Sequence, residues 1–220
     1  MSTVPLSDRI LKSFLPIFFD LLYHQFAWAY DFVAAIVSLG MWKDWVISVT
    51  SDLDGPRVLE IGHGPGHLQF ELTNNGVIIL GVDQSAAMSR LAYRRLRKYG
   101  YVPLLARCQA QFLPYKSHTF NQLVSTFPSE YIVDPLTLSE AFRVLVPGGK
   151  FVILPIAWIK GRSLIDRFSA WLFRFTGQSP DWDDRFLLPL LRVGFNVEVE
   201  KRTLGSTELL VIHAQTSEGK

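Results

Sequence analysis

The chain of 220 residues has little of what several common kinds of site require. Its single cysteine, Cys108, excludes an intramolecular disulfide framework and a cysteine-rich metal site. The histidines show no H-E-x-x-H spacing, and His63 and His67 flank a glycine-rich stretch, so we predict no metal ion. The net charge is only +2, which gives no case for a polyanionic partner, and we expect no nucleic acid to bind.

An uninterrupted apolar run is also missing, although residues 10–42 are densely apolar and aromatic. A membrane span needs about 18 or more apolar residues with few charges. Here polar residues and a proline interrupt the run, namely Lys12, Pro16, Asp20, His24 and Asp31. No small-residue cleavage site follows a basic start, so a signal peptide fits poorly. We therefore expect a cytoplasmic protein.

The aromatic N-terminal stretch is predicted instead to form two helices, about residues 7–24 and 29–49, with wide apolar faces. Residues 1–50 would then be a helical cap, for which two interpretations stay open. In the first, the helices cover the sheet and close the site beside it. In the second, part of the aromatic face meets a lipid-like substrate or the membrane surface, so that the protein is peripheral to the membrane.

The most informative stretch present is residues 57–68, which predict a buried strand, a glycine loop and a helix. Gly62, Gly64 and Gly66 permit dihedral angles and close approaches that a Cβ would forbid. This arrangement brings backbone close to a nucleotide-like ligand. Asp83 follows Gly62 by 21 positions, at the end of the second predicted strand, where a carboxylate can accept from both ribose hydroxyls. The alternative is that Asp83 or Ser85 only caps the next helix.

Strands and helices alternate after this point, which predicts a doubly wound α/β sheet. The predicted strands are 77–82, 102–106, 123–126, 151–155, 195–200 and 209–214, and the predicted helices are 86–99, 135–146, 163–176 and 183–193. The helix over 86–99 carries five cations, which we interpret as a solvated helix face rather than a nucleic-acid patch. Ligands of such sheets lie at the carboxyl ends of the strands.

Several motifs together resemble the class I S-adenosylmethionine-dependent methyltransferases. Glu60 to Gly66 matches the family's E/D-x-G-x-G-x-G, and Arg143 to Lys150 matches R-x-L-x-P-G-G. Gln109 to Tyr115 is similar to D-A-E-x-L-P-F, with Gln109 in place of the acid that binds adenine. Phe26 to Asp31, where aromatic residues precede Tyr30-Asp31, looks like the aromatic stretch ending in Tyr-Asp of quinone- and lipid-modifying members, whose tyrosine tends to lie over the cofactor's methionine end.

The resemblance implies a seven-stranded, mostly parallel Rossmann-like sheet with a terminal antiparallel pair. It implies one methyltransferase domain over residues 51–215, with a helical lid at about 158–178 that covers the substrate pocket. Glu60 would position the glycine loop, whose backbone would hold the methionine part of S-adenosylmethionine, and S-adenosylhomocysteine would be the product. The expected cofactor-binding residues are Tyr30, Glu60, Gly62, His63, Gly64, Gly66, Asp83, Gln84, Gln109, Ala110, Gln111, Thr126 and Phe127.

The function implied by this resemblance is methyl transfer to a small, hydrophobic acceptor such as a quinone, a lipid or a natural product. No residue declares itself as a catalytic base, and the candidates are His63, Tyr30, Glu130 and Tyr131. Two alternatives stay open: a methyltransferase-like protein that binds the cofactor without turnover, and an NAD-dependent oxidoreductase. The atom methylated and the oligomeric state are left open by the sequence.

Overall fold

The structure is a computed structural model that describes residues 40–160 and 184–218. Seven strands form one open sheet in the order β3-β2-β1-β4-β5-β7-β6. The strands are β1 Val58–Ile61, β2 Ile79–Asp83, β3 Leu105–Arg107, β4 Phe120–Thr126, β5 Leu145–Ile159, β6 Asn196–Leu204 and β7 Thr207–Gln215. The helices are α1 Trp42–Ile47, α2 His67–Asn74, α3 Ala86–Lys98, α4 Pro135–Val144 and α5 Leu188–Val193, with 3-10 turns at Thr50–Asp52, Glu130–Val133 and Asp184–Leu187.

The pairing confirms the predicted doubly wound, mostly parallel sheet. Strands β1 to β5 pair in parallel, whereas β7 runs antiparallel to both β5 and β6. Strand β1 is buried throughout, which explains its nearly unbroken apolar sequence, since both faces of a parallel sheet are covered. The chain order reverses between β1 and β4, which opens a crevice at their carboxyl ends.

Two apolar layers sandwich the sheet. On one face α1 and α2 pack their buried residues, among them Trp45 and Leu72, against Val58 and Val152. On the other face α4 contributes Leu138 to a cluster that includes Phe120, Phe151 and Phe195. Each helix therefore buries one apolar stripe and holds one face of the sheet.

The Pro-Gly-Gly segment lies between the predicted helix 135–146 and the predicted strand 151–155, where the sequence predicts a separate turn, but the structure differs. Helix α4 runs directly into β5 at Leu145, and Pro147 to Gly149 form a bulge inside that strand. Between the pair Phe120–Leu145 and the pair Gln122–Lys150, β4 advances by two residues and β5 advances by five. A Cβ on Gly149 would lie 2.8 Å from the carbonyl oxygen of Val146, so the bulge requires glycine.

Most of the predicted cap and lid lies outside the described residues. Of the cap, residues 40–50 are described and include α1. Of the lid, Trp158 and Ile159 still belong to β5 and Lys160 follows it. Residues 161–178, together with Tyr30, lie outside the residues that the structure describes. Within residues 40–160 and 184–218, no helix is long and apolar enough to cross a membrane.

Candidate cofactor and active site

A cavity of about 300 Å³ opens at the carboxyl ends of the central strands. Segments that follow β1, β2, β3 and β4 all line it. Eleven of the predicted cofactor-binding residues meet there: Glu60, Gly62, His63, Gly64, Asp83, Gln84, Gln109, Ala110, Gln111, Thr126 and Phe127. The volume lies at the lower end of the range of small-molecule sites, which is about 300 to 1,000 Å³.

The glycine loop has the backbone conformation that its sequence requires. Gly62, Gly64 and Gly66 have φ angles of 77°, 51° and 78°, in the left-handed region that favours glycine. A Cβ on Gly62 would overlap the hydroxyl of Tyr131, and one on Gly66 would lie 2.7 Å from the Cβ of Ala92. At Gly64 nothing lies within 4 Å of the same position, so the loop is open there. Gly62 and Gly66 thus fit the loop to the protein, and Gly64 leaves space for a ligand.

Asp83 joins the end of β2 to this loop. Its Oδ2 accepts from the Gly64 amide at 2.9 Å and its Oδ1 accepts from the Ser85 amide at 2.7 Å. Ser85 itself caps α3, because its Oγ accepts from the Met88 amide at 3.3 Å. A carboxylate has about four lone-pair sites, so two remain for a ligand diol. Asp83 therefore braces the loop and still faces the cavity as an acceptor.

Glu60 lies under the loop, 1% exposed, where Gln69 Nε2 donates to its Oε2 at 2.9 Å. The same Gln69 nitrogen also donates to the Leu80 carbonyl oxygen at 3.2 Å. Burial raises the pKa of Glu60 to about 8, against the hydrogen bond from Gln69, and nearby Asp83 adds to the increase. At neutral pH this carboxyl group is largely protonated, so it adds little charge to the cavity wall.

His63 is buried and its ring is fixed by the loop. Its Nδ1 lies 2.8 Å from the Gly64 carbonyl oxygen and must carry the proton to donate there. Its Nε2 is buried with no hydrogen-bond partner among the described residues. Desolvation lowers the pKa of His63, partly opposed by the negative charge of Asp83, so the ring is neutral near pH 7.

Tyr131 supports the loop from the opposite side. Its hydroxyl donates to the Ile61 carbonyl oxygen at 3.2 Å and lies 3.2 Å from Ser125 Oγ. Ser125 Oγ donates to the same Ile61 oxygen at 2.7 Å. The end of β1 is thereby tied to the end of β4 just before the first glycine.

The segment after β3 forms the cavity wall at Gln109 to Gln111 and is clamped from α4. Arg143 donates to the carbonyl oxygens of Tyr115 at 2.8 Å and Leu113 at 3.2 Å. Glu140 pairs with Arg143 at 2.6 Å and accepts from the Leu113 amide at 2.9 Å. The arginine of the R-x-L-x-P-G-G motif thus fixes the loop that the resemblance assigned to adenine.

Aromatic rings form the end of the cavity next to α1 and β4. Trp42 and Phe127 both line it, with ring centroids 4.3 Å apart and planes at 31°. Trp45 lies behind both rings and is fully buried. Phe127 has a φ of 47°, which a bulky residue rarely adopts.

The remaining predicted residues lie elsewhere. Glu130 is exposed in its 3-10 turn and does not line the cavity, and Gly66 packs against α3 behind the loop. Sequence reasoning missed Arg95, assigned to a solvated helix face, whose Nη1 donates to the Pro65 carbonyl oxygen at 2.6 Å. It also missed Trp42 and Val46 as cavity residues; their spacing of four on a helix indicates one face, but not which one.

A second polar cluster lies outside the cavity. Asp52, Glu200 and His213 place ligand-type atoms within 4.8 Å of one another. The guanidinium of Arg202 already pairs with both carboxylates, at 2.9 Å from Asp52 and 2.9 Å from Glu200. This cluster therefore links the turn before β1 to the terminal hairpin.

The strand order, the glycine loop after β1 and the acid at the end of β2 define the class I methyltransferase fold, as predicted. The sequence matches the model of the ubiE/COQ5 methyltransferase family over residues 19–179, and the chain belongs to that family. The family is S-adenosylmethionine-dependent, which confirms the predicted cofactor. These findings favour neither an NAD-dependent oxidoreductase nor a protein without turnover.

Among the relatives is the ubiquinone/menaquinone biosynthesis C-methyltransferase UbiE of Blochmanniella floridana, 32% identical over 143 residues, which are 60% of this chain and 56% of the relative. The demethylmenaquinone methyltransferase of Symbiobacterium thermophilum is 31% identical over 143 residues, 60% of this chain and 57% of the relative. The chain thus spans little more than half the length of these two relatives.

Solved structures share the fold at low sequence identity. Haemonchus contortus phosphoethanolamine N-methyltransferase 2, in complex with S-adenosyl-L-methionine, has a TM-score of 0.63 at 17% identity, over 91% of this chain and 60% of that chain. Geranyl diphosphate C-methyltransferase of Streptomyces coelicolor A3(2) has a TM-score of 0.57 at 15% identity, over 78% of each chain.

Proposed function

We propose that this protein is an S-adenosylmethionine-dependent C-methyltransferase whose acceptor is a small, apolar, quinone-like ring in its reduced form. The observation that carries the proposal is the two-ended cavity, with the glycine loop and Asp83 at one end and Trp42 and Phe127 at the other. The relatives named above as C-methyltransferases of ubiquinone and menaquinone biosynthesis support the acceptor class. The two hydroxyls of a reduced quinone donate electron density to its ring carbons, and this makes those carbons nucleophilic.

The polar end fits the cofactor. The open side of Gly64 gives the methionine part an approach to backbone, and the free lone pairs of Asp83 fit a ribose diol. Gln109, Ala110 and Gln111 would form the adenine wall, with neutral amides where the family pattern has a charged acid. Glu60 would position the loop through Gln69 rather than contact the ligand.

Held by the glycine loop and Asp83, S-adenosylmethionine would supply an electrophilic methyl group to a ring carbon of the acceptor, and S-adenosylhomocysteine and the ring proton would be released. The hydroxyl of Tyr131 and Nδ1 of His63 already hold the loop. We therefore propose that this chain accelerates transfer mainly by orienting the acceptor and excluding water, rather than by a strong base.

Calorimetric titration tests the cofactor assignment directly. S-adenosylhomocysteine should bind wild type, and Asp83→Ala should lower its affinity about tenfold to a hundredfold because a charged acceptor is lost. Asp44→Ala, which removes an exposed acid outside the cavity, is the matched control and should bind like wild type. Binding of NAD in place of S-adenosylhomocysteine would contradict the proposal.

Turnover is tested separately, with radiolabelled S-adenosylmethionine and 1,4-dihydroxynaphthalene kept reduced under argon. The label should appear on a ring carbon of the product. A protein that binds S-adenosylhomocysteine but labels no reduced quinone would be a cofactor-binding protein without this activity.

The proposal also includes a cytoplasmic location with peripheral membrane contact. The aromatic residues before Gly40 support the membrane contact.

A further inference from the structure

Phe127 has a positive φ angle of 47°, which is unusual for a bulky residue. It is one of two non-glycine residues with positive φ in the part of the chain that the structure describes, and it directly follows the end of β4. Its amide donates to the Leu154 carbonyl oxygen at 2.7 Å, so neighbouring β5 holds the strained residue in place. Strain of this kind persists only where surrounding structure enforces it, and it concentrates at ligand sites.

The strained backbone delivers the Phe127 ring to Trp42, across the cavity's end. The centroid distance of 4.3 Å and the plane angle of 31° describe a tilted face contact rather than an edge contact. Trp45, fully buried, lies 6.1 Å from Phe127 and 6.4 Å from Trp42, and so supports both rings from behind. The pair is therefore held on one side and lines the cavity on the other.

The polar end already accounts for the chemistry of a nucleoside and an amino acid, which leaves the aromatic end for a second ligand. Stacking needs only a π-face of the right size and adds to apolar burial, so these rings favour flat ligands over saturated ones. Val46, one helical turn after Trp42, adds an aliphatic contact to the same wall.

We propose that Trp42 and Phe127 are the specificity-determining pair for the methyl acceptor, and that they select a planar aromatic ring by stacking. This inference rests on the proposed function for the identity of the second ligand, but it concerns binding and does not require turnover. It assigns Phe127 to the acceptor, although the sequence had placed this residue among those that bind the cofactor.

The test compares two diols by calorimetry in the presence of saturating S-adenosylhomocysteine. The probes are 1,4-dihydroxynaphthalene under argon and 1,4-cyclohexanediol, which has the same two hydroxyls but no aromatic ring. Wild type should prefer the aromatic diol. Phe127→Leu and Trp42→Leu should each lower the affinity for the aromatic diol about three- to tenfold and should change the affinity for the saturated diol little. Phe127→Tyr and Trp42→Phe keep a ring and should retain the preference.

The matched control is Phe70→Leu, the same substitution in another aromatic contact. Phe70 stacks near Tyr99, with centroids 4.6 Å apart, and does not line the cavity. It should leave the affinity for both diols and for S-adenosylhomocysteine within about twofold of wild type, which excludes a general loss of packing as the cause.

The outcomes separate this inference from the proposed function. If Phe127→Leu and Trp42→Leu leave the aromatic preference intact, or if wild type shows none, the pair does not select the acceptor, whatever the turnover. The affinity for S-adenosylhomocysteine is also measured in the absence of the diol. If the two leucine variants lower this affinity as much as they lower the affinity for the aromatic diol, the rings belong to the cofactor site and the inference is wrong. Failure of wild type to bind S-adenosylhomocysteine would instead contradict the proposed function. Titration of each diol without S-adenosylhomocysteine would then still show whether the two rings select an aromatic ligand.

Discussion

The two ends of the cavity are built by different means. At the polar end, the glycine-loop backbone and the Asp83 carboxylate face the ligand, and the loop is held from below by the uncharged side chains of Gln69 and Tyr131. At the aromatic end, the side chains of Trp42 and Phe127 form the wall, and the backbone of Phe127 is strained. Substitutions below the loop should therefore act through loop geometry, whereas substitutions at the rings should act on ligand contacts alone.

The largest expected effect is the pH dependence that Glu60 imposes on the polar end. Because the folded pKa is raised from 4.5 to about 8, the folded state holds a proton that the unfolded chain releases, and stability falls as pH rises through this window. Glu60→Gln keeps an acceptor for Gln69 and removes the ionisation. Between pH 5 and 8, wild type should lose on the order of 4 kcal/mol of unfolding free energy relative to the variant.

Urea denaturation at a series of pH values measures this difference. The comparison must be between the two proteins, since several carboxylates with lowered pKa values, such as Glu140 and Glu200, give the opposite slope in acid for both. Parallel pH profiles for wild type and Glu60→Gln would show that the carboxyl group is not buried as described.

The next effect comes from Gly62→Ala, which should distort the loop without touching the aromatic end. An alanine Cβ adds strain at positive φ and overlaps the Tyr131 hydroxyl. Overpacking of this kind costs about 1 to 3 kcal/mol, so affinity for S-adenosylhomocysteine should fall about tenfold to a hundredfold. Adding Tyr131→Phe removes the overlapping oxygen and should recover part of the loss.

Gly76→Ala separates strain from overlap. Gly76 has a φ of 80°, close to that of Gly62, but nothing lies within 4 Å of its Cβ position, and it does not line the cavity. This control should lower stability by about 1 to 2 kcal/mol and leave ligand affinity unchanged. Equal loss of affinity in both alanine variants would mean that Tyr131 does not constrain the loop.

A smaller effect is expected from Arg95→Met, which removes the hydrogen bond to the Pro65 carbonyl oxygen but keeps a long apolar stem. Loss of one charged donor to the loop should lower the affinity for S-adenosylhomocysteine about threefold to tenfold. Arg94→Met, on the exposed side of the same helix, should have no effect. If isothermal titration gives the same affinity for both variants, the loop does not depend on this anchor.

The sequence was most informative where local chemistry decides structure. Three glycines at fixed spacing, an apolar strand before them and an acid at the end of β2 predicted the loop, and its φ angles agree. Arg95 was misassigned because one arginine among several on a helix carries no mark of its long-range partner, 30 residues away. The Pro-Gly-Gly bulge was missed for a related reason: the same residues make a turn or a bulge, and only pairing with β4 decides between them.

The aromatic end was harder to predict than the polar end. Trp42 belonged to a long aromatic stretch for which two interpretations stayed open: helices that cover the sheet and close the site, or an aromatic face that meets a lipid-like substrate or the membrane surface. Its stack on Phe127 joins residues 85 positions apart in the chain, and the positive φ of Phe127 has no signature in its residue type.

The separation of the two ends is tested most directly by nuclear magnetic resonance on the ¹⁵N-labelled chain, titrated with S-adenosylhomocysteine. Large shifts are expected at the amides of Gly62, Gly64, Ser85 and Gln109 to Gln111, and the Trp42 indole resonance should move only when 1,4-dihydroxynaphthalene is added afterwards. Saturating shifts of the Trp42 indole with S-adenosylhomocysteine alone, while the glycine-loop amides stay in place, would contradict it.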